Sequence, residues 1–598
     1  MLRSSKRNIY VLYFSHSYGK VAQYMTSTCK DMPVKKCWEV RYLPILLSLI
    51  TLLVACGSQG NSTNNNLSPA PPDKQILHVP QQGGDFDSLD PALTQLGLGD
   101  PFNILFSGLV TIQDDGTVIK QLAASYQISP DGLTYTFTLK SGLKFSDGAP
   151  LDANDVAYSL NRVLLPQIKS SVTGYLNLLK DYDKVTSGQI PTLIGDSIIV
   201  KSPTEISLII SKPAAYFLEA LTYSTGDVVE KKLVEKYGIS WTDHLDEGGG
   251  NGPFKVQSYG HTTGLVLVPN PNYDGFKPKI QKIIYTIASD ADSIYKAFQA
   301  GQYDLANVPP ALNQSAKKIP GYQSVPSLTS HFIELNYLTK PLGNIHIRQA
   351  LDLAINKDLI IERVLHSAGI PSNHIVPNGI PGYNPKLTGP AGVVSTAGDQ
   401  TKARQLLQQG LQEEGYSNVS QIPSLTLEYI NSDQSVVDTI TAIVAEWKQI
   451  LGITVKTVSV QPNQIIQDEV STIGHAGPLQ LFYSYWGADY PDPQDWLSNF
   501  FAKGGQANYA NYGQNNSSAA AEQQAVQAEL ARADGDQNAA ERMQLYQDAE
   551  QKIVNDVGWI TTYQSASVVV INPKLHGWKL NPLGTIATSD WANIYFVQ

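Results

Sequence analysis

Ser129-Pro130-Asp131-Gly132-Leu133-Thr134-Tyr135-Thr136-Phe137-Thr138-Leu139-Lys140-Ser141-Gly142-Leu143-Lys144-Phe145-Ser146-Asp147-Gly148 has turn residues at both ends and a period of two between them. Thr134, Thr136 and Thr138 alternate with Tyr135, Phe137 and Leu139, which is the pattern of a strand buried on one face. Ser141-Gly142 turns the chain, and Leu143 and Phe145 continue the pattern to a second turn at Asp147-Gly148. Asp152 then stands at an N-cap position, ahead of Val156, Leu160 and Val163 at helical spacing.

The same alternation of strands and helices continues outward from this stretch. Ile440, Ile443, Val444, Trp447 and Leu451 form one apolar helix stripe, with Gly452 to end the helix before Ile453-Thr454-Val455. Leu545, Tyr546, Ala549 and Ile553 form a similar stripe, and both stripes read as core. Ile76 to Pro91 reads as a strand and a turn carrying Asp85, Asp87 and Asp90. Leu89 interrupts the oxygen spacing that a calcium loop needs, so a solvated turn is expected. Gly248-Gly249-Gly250-Asn251-Gly252 lacks the Lys-Ser/Thr of a P-loop and reads as a flexible turn. No periodic repeat is present.

Composition narrows the function. The 598 residues are 42% hydrophobic, enough for more than one core. The net charge is −10, and residues 1–55 contribute +6 of it, leaving −16 on the remainder. So acidic a surface argues against nucleic acid. All three cysteines, Cys29, Cys37 and Cys56, fall in the first 56 residues, which excludes a disulfide scaffold or thiolate metal site in the folded part. The ten histidines show no metal-ligand spacing, and neither a zinc-protease nor a serine-hydrolase motif occurs. No metal, cofactor or catalytic residue is expected.

Tyr42 to Ala55 is an uncharged apolar run behind Lys35, Lys36 and Arg41, too short to span a bilayer and shaped like a secretory signal. Met1 and Met32 are alternative starts for it. Residues 57–73 hold almost nothing that could be buried and read as a disordered spacer.

Ser484-Tyr485-Trp486-Gly487-Ala488-Asp489-Tyr490-Pro491-Asp492-Pro493 offers the candidate site. A strand from Leu479 to Trp486 is cut by Gly487 and two prolines, leaving Asp489 just past its end among large aromatic rings. A carboxylate in such a half-dry place needs a cation or several N–H donors. Two roles fit these residues: a socket for a ligand ammonium, or the cap of an Asx-turn. Tyr485 and Trp486 are either pocket wall or core. Asp492 lies too near Asp489, across a proline turn, for the two to flank one bond as a hydrolase pair.

A family resemblance rests on Leu122-Ala123, Ser129 to Phe137, Leu139-Lys140, Gly142 to Gly148, Asp155-Val156, Ser159 and Arg162. Asn251-Gly252-Pro253-Phe254-Lys255, Asn270-Pro271-Asn272-Tyr273, Ala300 to Asp304, Asn336, Ile347-Arg348-Gln349-Ala350-Leu351 and Gly415-Tyr416 continue it. Together they resemble the family 5 extracellular solute-binding proteins, the peptide- and nickel-binding components of ABC importers, over residues 76–598. Ser146 departs from the family's usual His. Leu53-Val54-Ala55-Cys56-Gly57 resembles a bacterial lipobox, which implies lipidation of Cys56.

The resemblance implies an α/β, periplasmic-binding-protein-like fold of two hinged lobes with an accessory domain. It divides the chain into 1–55 (signal and upstream extension), 56–75 (lipidated Cys56 and tether), a discontinuous domain I (76–118, 203–335 and 556–598), domain II (119–202) and domain III (336–555). It implies a monomer on the outer face of the cytoplasmic membrane, periplasmic where an outer membrane exists, delivering peptides to a membrane permease. Asp489 would pair with the peptide α-ammonium, the strand through Tyr485, Trp486 and Gly487 would bond its backbone, and Thr94 to Gly97 (with Gln95 and Leu96) would face them. Tyr175 is the candidate from the opposite lobe, and Arg348 reads as a structural ion-pair residue. Other ligands of the class are nickel chelates, haem and oligosaccharides; a surface-tethered hydrolase is the alternative from another class.

Overall fold

Tyr135, Phe137 and Leu139 are buried while the threonines between them are not, so Thr134–Leu139 is a one-faced strand. It sits inside a four-stranded sheet in the order Ala123–Ile128, Thr134–Leu139, Glu205–Ile209, Ile198–Ser202. The helix Ala153–Leu164 covers the sheet with Val156, Leu160 and Val163 buried. Asp152 and Asp155 form a reciprocal capping box at its start.

The computed structural model describes residues 68–95, 101–431, 434–505 and 507–598, and Pro69–Gln598 forms one compact unit. The signal segment with Met32 and the proposed lipid site Cys56 lie outside the described residues, as do Leu96 and Gly97. Among the described residues, no helix is long and apolar enough to cross a membrane.

Two further sheets complete the α/β architecture. One runs Ile76–Gln82, Lys282–Ala288, Gly264–Pro269, Phe254–Gly260. The other has seven strands in the order Leu305–Asn307, Trp559–Ile571, Tyr322–Leu335, Leu481–Gly487, Leu425–Ile430, Val455–Val460, with Gly369–Pro371 beside the second. Each sheet has its own apolar core. Both helix stripes expected from sequence, 440–451 and 545–553, are buried in the core of the seven-stranded sheet, and Gly452 ends the first in the left-handed conformation. Sheet membership crosses two of the expected divisions: Glu205–Ile209 pairs back across 202/203, and Tyr322–Leu335 pairs with Leu481–Gly487 across 335/336.

Three local expectations are overturned. The acidic turn is only partly solvated, with Asp87 exposed, Asp85 half-buried and Asp90 buried. Asp85 accepts from Tyr259 at 2.9 Å, and Asp87 accepts from the Gln95 N–H at 2.7 Å. Asp90 is buried in a two-pronged contact with the Arg162 guanidinium and accepts from the Trp241 indole at 2.8 Å. The glycine run is not a flexible turn either: Gly250 and Gly252 press on the carbonyls of Leu105 and Ile104, and a Cβ at Gly250 would come within 2.6 Å of the Leu105 oxygen. The end of the expected spacer is also structured, since Ala70 donates to the Phe596 carbonyl and Pro72–Lys74 forms a helical turn. Arg348 behaves as expected, fully buried and paired with Asp556 at 2.6 Å.

Removing one partner of a buried ion pair strands the other charge, at a cost of about 3–5 kcal/mol. Asp90→Ala is therefore expected to lower the unfolding free energy by about that amount in urea titrations, whereas a surface change such as Lys317→Ala should leave it within about 0.5 kcal/mol. A loss below about 1 kcal/mol for Asp90→Ala would show that Arg162 finds another partner.

Candidate functional site

The strand Leu481–Gly487 has two different sides. Along one it is laddered to Tyr322–Leu335 over its whole length, Leu335 facing Leu481 and Thr329 facing Gly487. Along the other it pairs with Leu425–Ile430 only from Leu481 to Tyr483. The Ala488 N–H donates to the Leu328 carbonyl at 2.8 Å. By antiparallel alternation, the N–H and C=O groups of Tyr485 and Gly487 then face the side where the neighbouring strand has ended. Trp486 turns to the opposite sheet face from Tyr485 and meets Phe500 edge-on at 5.0 Å.

Past Gly487 the chain bends between two cores: Tyr490 is buried with the Thr134–Leu139 sheet, whereas Trp496 and Leu497 are buried with the seven-stranded one. Three carboxylates in this bend have three environments. Asp492, two residues before the helix Gln494–Phe501, accepts the Gln494 N–H at 2.9 Å and takes both arms of the buried Arg542 at 2.6 Å each. Asp495, also buried, accepts the Asp489 N–H at 2.9 Å. Asp489 accepts only the Tyr175 hydroxyl, at 2.5 Å, and no Lys, Arg or His among the described residues forms an ion pair with it.

Burial therefore dominates the electrostatics. It pushes the Asp489 carboxyl up to about 6, with the Tyr175 hydrogen bond opposing. It pushes Asp495 well above the usual carboxylate range, and the Asp489 charge adds to the rise. The two neighbouring carboxyls titrate as a pair, and burial pushes both upward.

Asp489 and Asp495 line a cavity of 540 Å³ between residues 171–220 and 486–534. That volume is within the range of small-ligand sites. Tyr175, Trp486, Tyr216 and Gln494 form its walls, and Lys212 and Lys503 stand on opposite sides. Tyr175 belongs to the turn Thr173–Leu176 and stacks on Tyr223 at 3.8 Å, and the Tyr223 hydroxyl donates to the Gln95 carbonyl at 3.1 Å. The structure thus gathers Asp489, Trp486, Tyr175 and Gln95 into one neighbourhood. Gly487 and the exposed Tyr485 lie on the strand beside the cavity rather than in its wall. Asp495 and Tyr216 escaped the sequence reading. Asp495 could have been found as the acid one residue into the helix after Asp492-Pro493, a position that aims a carboxylate back at the preceding bend. No histidine among the described residues lines the cavity.

The model of the bacterial extracellular solute-binding proteins, family 5, matches residues 117–508. The chain belongs to this family. The oligopeptide-binding protein OppA of Bacillus subtilis is 28% identical over 484 residues, covering 79% of this chain and 86% of its own. The periplasmic OppA of Salmonella typhimurium is 27% identical over 539 residues, covering 88% and 93%. The fold also matches that of the Escherichia coli murein tripeptide binding protein MppA, with a TM-score of 0.69 at 24% identity, over 89% of this chain and 99% of that one. Family 5 proteins are solute-binding proteins rather than enzymes.

A carboxyl whose pKa is raised by folding adds stability below its unfolded pKa and loses it as pH rises through the folded one. Asp489→Asn is therefore expected to match the parent protein near pH 4. Its melting temperature should exceed the parent's increasingly up to about pH 6 and by a constant margin above. Melting curves of both proteins from pH 4 to 8 test this. A lower melting temperature for the variant at pH 7 would mean that Asp489 has a stabilising partner.

Proposed function

We propose that the chain is the substrate-binding component of an ABC importer. It captures peptides by pairing their backbones with the free side of the strand Leu481–Gly487 and holding their α-ammonium at Asp489. The observation that carries this reading is the Asp489 carboxylate itself: pushed up only to about 6, facing a cavity, and given one hydroxyl and no cation by the described residues. Two features support strand addition: the ladder that stops at Tyr483, and the outward N–H and C=O groups of Tyr485 and Gly487. The relatives named for oligopeptides point to the same ligand class. Tyr175 acts as the stand-in that the ammonium displaces, and Gln95 to Gly97 supply the facing segment.

In the same reading domain I (76–118, 203–335 and 556–598) and domain III (336–555) close by a hinge on the peptide between them, with residues 119–202 and the strand Glu205–Ile209 that pairs with them as the accessory domain. The closed form is what the membrane permease recognises. Cys56 carries the lipid that moors the protein outside the cytoplasmic membrane.

Calorimetric titration with free and N-acetylated tri- and tetrapeptides tests the anchor. Acetylation, or Asp489→Asn with the free peptide, is expected to cost about 2–5 kcal/mol of binding, because each leaves one buried group unpaired. Equal affinity for blocked and free amines would refute the ammonium pair. Binding of the free peptide should also weaken as pH falls below about 6, where Asp489 takes up a proton. It should weaken again above about 8, where the peptide amine loses one. The acidic limb should vanish in Asp489→Asn.

A further inference from the structure

We propose that Tyr485 selects a flat aromatic side chain on the bound peptide, stacking against the residue that pairs opposite it. The inference rests on the peptide reading above and adds the side-chain class that this site prefers. Tyr485 is 62% exposed, whereas Tyr483, two residues earlier on the same sheet face, is 5% exposed.

The ring is the outermost of an aromatic row that crosses the sheet. Tyr485 faces His331 in the strand register, with ring centres 5.5 Å apart, and His331 stacks on Tyr563 at 4.2 Å with the rings within 14° of parallel. His331 is held from both ring nitrogens, by the Ser565 hydroxyl at 2.8 Å and the Tyr483 hydroxyl at 3.3 Å, and Tyr483 also reaches the Tyr563 hydroxyl at 3.3 Å. The row is thus braced behind Tyr485 and ends at the side where the strand has lost its neighbour. A large ring left in water on a braced platform presents an unused stacking face.

Strand alternation says what would cover it. A peptide added along Tyr485 and Gly487 places the side chain opposite Tyr485 on the same sheet face, with Cβ atoms about 4.5–5.5 Å apart. Its two flanking side chains go to the face of Trp486, toward the cavity. One peptide position therefore meets the aromatic row and its neighbours do not. Against that row a π-faced ring gains stacking beyond the area it buries, and a saturated ring of the same size does not.

The test uses the full chain and a set of tetra-alanine peptides in which one position at a time carries phenylalanine, cyclohexylalanine or leucine. At one position of the scan, phenylalanine is expected to bind about three- to ten-fold tighter than cyclohexylalanine or leucine, and at the adjacent positions no such preference appears. The ratio, read within each variant, should collapse to about one in Tyr485→Ala and persist in Tyr485→Phe, which keeps the ring and drops the hydroxyl. A phenylalanine preference found at no position, one that survives Tyr485→Ala, or one that cyclohexylalanine matches overturns the inference while leaving the ammonium anchor intact. N-acetylated tetra-alanine binding as tightly as the free peptide removes the anchor, and this proposal falls with it.

Discussion

A carboxylate taken most of the way out of water and offered a single hydroxyl is the feature around which this molecule makes sense. Folding ordinarily avoids such groups, or neutralises them, because the charge loses hydration that one neutral donor does not replace. Here the neighbouring carboxyl is pushed toward its neutral form instead: burial, and then the charge of Asp489, raise Asp495 well above the usual carboxylate range. Asp492, three residues from each, is paired with both arms of Arg542. One short bend thus contains a structural ion pair, a carboxyl pushed toward its neutral form and a carboxylate given no cation by the described residues. Their sequence spacing is regular, and only what each side chain faces tells them apart.

The Asp489 carboxylate is useful because of where the strand before it ends. Burying the seven-stranded sheet requires that Leu481–Gly487 be laddered, and the Tyr322–Leu335 strand satisfies one side completely. On the other side the Leu425–Ile430 strand stops after three residues of pairing, which leaves main-chain donors and acceptors facing the cleft. Unpaired ladder groups at a sheet edge are normally blunted, because they invite foreign strands. At this position the free ladder groups, the Asp489 carboxylate and the cavity lie together, and the Gly487 bend converts the strand's direction into the carboxylate's.

Elements governed by local periodicity were legible in the sequence. The alternation of Thr134 to Leu139, the Asp152 cap and the Gly452 stop each involve residues within a few positions of one another, and each appears where expected. What escaped depends on distant partners. Asp90 looked like a solvated turn because its partners, Arg162 and Trp241, are 72 and 151 residues away. The glycines at 250 and 252 looked loose because the carbonyls that forbid a side chain there belong to residues 104 and 105. The candidate site divides the same way: Asp489 and its strand were visible as an aromatic run broken by Gly and Pro. Asp495, Tyr216 and the Tyr175–Tyr223 stack are joined to that run only by folding.

The two proposed recognition elements differ in kind, and the difference sets what selectivity the site can have. In the proposed binding mode, main-chain pairing and an ammonium–carboxylate contact are offered equally to every unblocked peptide, so they fix affinity and register without reading sequence. A single exposed tyrosine on a braced aromatic row adds one stacking contact of about 0.5–1.5 kcal/mol. That is enough to bias a mixture of peptides and far too little to exclude any of them. Discrimination of several orders of magnitude would need a buried polar group left unpaired by the wrong ligand. On the strand face beside Tyr485 the hydrogen-bonding groups of His331 and Tyr483 are already engaged with one another and with Ser565. A broad appetite with an aromatic leaning is therefore what this arrangement of residues can physically deliver.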